Sequence, residues 1–161
     1  MNNYVHLVFE KEDDKKEWYS LGTQYIAEFE KCKVLLPKRF VKLYERESFH
    51  DWRVPKIEFF WATKRNFPYS VKLTLINPYD PECFWGCEIV LLELYEFSMH
   101  YPKDNSYPEC ARMDNIMFME ITKEENLINL GINSASEAEF NFTFRKLQFK
   151  KLKTMPDDIK K

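Results

Sequence analysis

The sequence predicts an α+β fold, with two N-terminal helices followed by, and packed on, an antiparallel β-sheet of about six strands. Three observations carry that expectation. Apolar residues recur at spacings of three and four through the first third of the chain, then alternate from Ile57 onward. Aromatic residues make up 17% of the chain against only three glycines, a balance that favours β-rich structure. The apolar runs after Ile57 are separated by clusters of Pro, Asn, Asp, Ser and Glu, which is turn chemistry.

The elements follow in order. Residues 4–9, "YVHLVF", read as a short opening strand. Asp13 and Asp14 suit the positive end of a helix dipole, and Trp18, Leu21, Tyr25, Phe29 and Cys32 then mark one apolar side of a helix over about 13–34. Pro37 opens a second helix to about residue 47, with Phe40, Val41 and Tyr44 inward. Pro55 biases Val54 toward extended geometry and bars further helix. Six strands are then expected as one meander: "KIEFFWA", "YSVKLTLI", "GCEIVLLELYEFSM", "NIMFMEIT", "LINLGI" and "AEFNFTFRKLQFKKL". In the last, Phe140, Phe142 and Phe144 alternate with polar residues, which puts three rings on one buried face. Arg145, Lys146, Lys150, Lys151 and Lys153 are expected on its wet face and along an open edge, where lysine blocks unwanted pairing. The 161 residues form a single domain with a helical part at about 10–48, a β-rich part at about 53–153 and a flexible tail at about 154–161.

Bulk properties narrow the function. A net charge of −2, from 24 basic and 26 acidic residues, gives no long-range attraction to nucleic acid or anionic lipid. No apolar run approaches the roughly 18 residues of a membrane span, and the first residues have no basic region that would suit a secretion signal. Cys32, Cys83, Cys87 and Cys110 therefore read as reduced thiols of a cytoplasmic protein. There is no Gly-rich phosphate loop, no GxSxG and no HExxH.

One constellation sits where the helical pattern ends, in "ESFHDWRVPKIEFFW". His50 beside Asp51 suits a metal-ligand pair, an acid/base pair, or a polar knot that fixes a chain reversal. The phosphohydrolases built on an HD dipeptide need further histidines on a helical scaffold, and this chain has only His6, His50 and His100. The knot is the favoured reading: Asp51 accepts from amides two or three residues on, His50 donates to a carbonyl, and Trp52 anchors the turn. An exposed surface here that meets a partner is the second reading.

Cys83, Cys87, His100 and Cys110 are zinc-type donors. Residues four apart on a regular strand lie about 13 Å from one another, so Cys83 and Cys87 share an ion only if Gly86 permits a bend. Cys110, with Arg112 near and His100 across the loop, is the candidate for thiol catalysis. The segment "HYPKDNSYPECARMD", residues 100–114, is long for a connection, and its Tyr101, Tyr107 and Arg112 are interface-type residues.

With "FHDWRVPKIEFF" (49–60), "YSVKLTLIN" (69–77), "CEIVLLELYEF" (87–97) and "AEFNFTFRKLQF" (138–149), the layout resembles a group of small bacterial domains of unknown function. In these a helical part leads to an HD or HDW motif followed by antiparallel strands. Several resemble immunity proteins encoded beside contact-dependent or secreted toxins. The resemblance implies a non-catalytic protein-binding module that neutralises a cognate toxin and uses no cofactor. Trp52, Arg53, Tyr101, Tyr107 and Arg112 are the binding residues expected from residue type and loop placement. The alternative is a metal-dependent hydrolase-like enzyme using His50, Asp51 and His100.

Overall fold

A computed structural model describes residues 15–61, 68–78, 86–100, 115–135 and 138–154, with side chains from Ser20 onward in the first stretch. The expected strand at 4–9, the segment 101–114 and all but the first residue of the expected tail lie outside the described residues. Two helices, α1 (Lys15–Lys33) and α2 (Lys38–Glu47), precede six strands: β1 (Arg53–Trp61), β2 (Pro68–Ile76), β3 (Gly86–His100), β4 (Ile116–Glu124), β5 (Leu127–Ser134) and β6 (Glu139–Leu152). All neighbouring strands pair antiparallel, and the fold is α+β.

The helices form where the apolar spacing places them. Phe29 and Cys32 of α1 are buried and Tyr25 is half-buried, while Lys31–Glu28 and Lys33–Glu30 ion pairs line the wet side. Pro37, with φ −59°, sets the start of α2. The inward residues there are Phe40, Leu43 and Tyr44, with Val41 at the margin of the core. Phe40 meets Phe149 of β6 edge-on at 5.7 Å between ring centroids.

The strand order is β1-β2-β3-β6-β5-β4. This corrects the expected single meander: two three-stranded meanders, β1-β2-β3 and β4-β5-β6, join through β3 and β6. The reason lies in β6, whose Phe140, Phe142 and Phe144 are each 0–1% exposed. It takes β3 on one side and β5 on the other, which sets these rings in the middle of the core face. β6 is therefore an interior strand, which corrects the expectation of its lysines along an open sheet edge; among the described residues, its half beyond Phe144 pairs with β3 alone.

Both long strands bend at one level. Buried residues on β3 run Cys87, Ile89, Leu91 and then resume at Leu94; on β6 they run Phe140, Phe142, Phe144 and resume at Leu147. Glu93 has a left-handed φ of 55° at that point, and the pairing slips between Leu94 and Glu96. The outer side of the bend is clasped by Glu93, which pairs with Lys146 at 2.7 Å and Arg145 at 3.3 Å. Both cations hold the Glu93 carboxyl below its ordinary range, Lys146 most strongly. At the start of β3, Gly86 is required by close approach, because a Cβ there would lie 1.9 Å from the Leu75 carbonyl oxygen.

Among the described residues, the outer edge of β4 carries no further strand, yet backbone groups of Met119 and Ile121 have partners there. Tyr44 Oη donates to the Met119 carbonyl at 2.5 Å, the Ile121 amide donates to Tyr25 Oη at 3.2 Å, and Cys32 Sγ donates to the Ile121 carbonyl at 3.9 Å. The two tyrosine hydroxyls also bond one another. The sheet curls enough that its first and last strands touch at one antiparallel bridge, Arg53 opposite Asn115.

Candidate binding surface at the helix-to-sheet junction

Helix α2 ends by backbone means. Ser48 turns left-handed (φ 49°) and its amide donates to the Tyr44 carbonyl at 2.8 Å. Phe49 (φ 56°) and Asp51 (φ 64°) are also left-handed, so three of four successive residues hold a conformation that side chains disfavour. The strain is outweighed by what it places inside. Phe49 and Trp52 are 0% and 1% exposed, and their rings meet perpendicular at 4.7 Å.

The reversal is then stapled to the start of β4. The Asp51 amide donates to the Ile116 carbonyl at 2.8 Å, and the Ile116 amide donates back to the Trp52 carbonyl at 2.6 Å. Arg53 Nε donates to Asn115 Oδ1 at 3.1 Å. The expected polar knot is thus present but made differently: backbone groups of Asp51 and Trp52 form it. Among the described contacts, the Asp51 carboxylate meets His50 Nδ1 at 3.0 Å, with both side chains partly exposed (36% and 49%). The His50 ring lies 6.4 Å from that of Phe118.

Of the expected binding residues, Arg53 is exposed at this junction. Trp52 is in the core and holds the surface from beneath. Tyr101, Tyr107 and Arg112 lie outside the described residues, in the segment that runs into Asn115. The staple therefore brings the HDWR stretch to the very residue where that segment ends.

The metal constellations are not assembled. Cys87 and His100 stand near opposite ends of β3, thirteen residues apart, roughly 40 Å of extended strand, so the four zinc-type donors cannot share one ion. Cys83 and Cys110 lie outside the described residues. His100 is opposite Glu139 on β6, whereas His50 lies against β4, three strands away at about 4.8 Å each. Among the described residues, no group of three or more His, Cys, Asp or Glu is placed to hold a metal. The two described cysteines are buried and free. Burial pushes the Cys32 thiol up to about 11 and the Cys87 thiol higher still, which suppresses the thiolate that nucleophilic chemistry needs.

Two concavities were not expected from the sequence. A cleft of about 670 Å³ between α2 and β6 is lined by Arg39, Lys42, Leu43, Glu45, Arg46 and Lys151. Its signal was present in the spacing of Arg39, Lys42 and Arg46 along one side of α2. A second, of about 380 Å³, lies over β3, β6 and β5, with Glu96, Glu139, Asn129, Asn141 and Thr143 in its wall. Those residues come together only through strand pairing, which the sequence did not order correctly. Among the described residues, no helix is long and apolar enough to cross a membrane.

No family model matches the chain, and no curated protein matches it. Among solved structures it is similar to one described as an uncharacterized protein from Neisseria gonorrhoeae. The two share 13% identity at a TM-score of 0.46, over 63% of this chain and 92% of that one.

Proposed function

We propose that this chain is a non-catalytic protein-binding module acting in the cytoplasm, in its sharpest form an immunity-type protein that neutralises a cognate toxin. The observation that supports the reading is the junction staple. It holds His50 and Arg53 exposed, and Asp51 half-buried between them, on backbone fixed by Phe49 and Trp52 below and by Asn115 and Ile116 beside. A surface immobilised in advance loses little entropy when it meets a partner. Arg53 and the His50–Asp51 pair are the described anchors, and Tyr101, Tyr107 and Arg112 are the further binding residues that the reading takes from the sequence. Arginine and tyrosine are the residue types that carry binding energy at such surfaces.

The test is co-expression with the product of the neighbouring gene, read as a stable complex and as rescue of growth. Replacing Arg53 and Tyr107 by alanine together is expected to weaken that complex by about a hundredfold, with an unchanged circular dichroism spectrum. Intact affinity after alanine replacement of Arg53, Tyr101, Tyr107 and Arg112 would sink the proposal.

A further inference from the structure

Helix α2 turns a row of cations into the cleft beside β6, and we infer that this cleft docks an acidic peptide segment of a partner protein. Arg39, Lys42 and Arg46 follow one another at spacings of three and four, so they share one side of the helix. From Arg39 to Arg46 the row runs about 10 Å along the axis. Lys151 faces it from β6. It lies two residues past Phe149 on the same face of the strand, and Phe149 packs on Phe40 of α2. Together these cations wall a cleft of about 670 Å³ over the buried Leu43.

The charge in the cleft is not balanced from within. On the sheet, Lys72, Arg145, Lys146 and Lys150 each meet a carboxylate. In the cleft, Arg39 and Lys42 are exposed, and among the described residues neither has an ion-pair partner. Arg46 has Glu47 at its Nε, 2.6 Å away, and keeps four further N–H donors. Glu45, the one carboxylate in the described wall, is held by Lys33 of α1 at 2.5 Å. A ligand that enters therefore meets cations around an apolar floor.

The layout of that charge selects the ligand. A lone small anion spans only part of the row. An extended peptide places alternate side chains about 7 Å apart, so two carboxylates of one segment reach the row at once. Its aliphatic side chains meet Leu43 and the stems of the basic residues. Single-stranded nucleic acid carries the charge but needs rings on which to stack its bases, and the described wall has no aromatic residue. The cleft shares no residue with the junction surface, and its ligand does not depend on the role proposed there.

Fluorescence anisotropy of labelled probes titrated with the full chain tests this. A glutamate-rich peptide with a leucine pair at its centre is expected to bind, and its glutamine counterpart to bind about tenfold more weakly or not at all. Arg39→Gln/Lys42→Gln is expected to weaken the glutamate peptide about tenfold or more. Arg145→Gln/Lys146→Gln removes the same charge from the sheet and is expected to stay within about threefold of wild type. A wild-type protein that binds neither peptide overturns the inference, as does an equal loss in the two double variants. Tighter binding of oligothymidylate than of the glutamate peptide also overturns it, in favour of a nucleic-acid site. Should Arg39→Gln/Lys42→Gln fail to fold, Lys42→Glu decides on the same terms: weakened binding supports the cleft and unchanged affinity overturns it.

Discussion

The Tyr44 hydroxyl donates to the Met119 carbonyl at 2.5 Å, linking the last turn of α2 to the unpaired edge of β4. The link satisfies a backbone acceptor that no described strand reaches, and it does so from a side chain 6% exposed. Removing the hydroxyl leaves that acceptor buried and alone. Tyr44→Phe, which keeps the ring against Phe29 and Phe40, is expected to cost about 1–3 kcal/mol. Urea unfolding checks the value, and a variant as stable as wild type would show that the edge is held by packing alone.

The same hydroxyl pair makes stability sensitive to alkali. Burial pushes the Tyr25 phenol up from 10.0 to about 12, and drives the Tyr44 phenol well above its ordinary value. A group raised in the folded state contributes stability that is complete below its unfolded value and lost as pH climbs through its folded one. The urea midpoint is therefore expected to hold up to about pH 10 and to fall between there and about 12. Tyr25→Phe should make that fall shallower. Parallel curves for the variant and wild type would assign the loss to other groups.

Asp51 separates backbone from side-chain roles. Its φ of 64° is left-handed, and its carboxylate reaches a histidine at the surface. Asp51→Ala keeps a Cβ in that conformation and is expected to cost about 1 kcal/mol. Asp51→Gly relieves the strain and should match or exceed wild type, since an exposed ion pair contributes little. Equal losses for both variants, read from thermal unfolding, would mean that the carboxylate matters more than the turn.

How much of this was legible beforehand follows from the range of each interaction. Element positions rest on local periodicity: Phe140, Phe142 and Phe144 alternate visibly, and the α1 face of Tyr25, Phe29 and Cys32 is written at spacings of three and four. Strand order was not legible, because inserting β6 between β3 and β5 depends on pairing partners some fifty residues apart. The junction shows both sides. Its location could be read from Pro55 and the change of period. Its means could not, since Phe49 and Asp51 in left-handed geometry break a local preference for the sake of burying Phe49 and Trp52.

The place of β6 has a consequence in time. It is the strand whose ladder with β3 joins the two meanders, and it is the last of the six to be synthesised. Until Glu139 and the residues after it emerge, a growing chain carries two half-sheets with no ladder between them, one open at β3 and the other at β5. Translation adds about 5–20 residues per second, so those edges stay exposed for on the order of a second while the fourteen residues of β6 arrive. That interval is when the nascent chain is most open to pairing with a neighbour on the same message, and arrival of Phe140, Phe142 and Phe144 ends it.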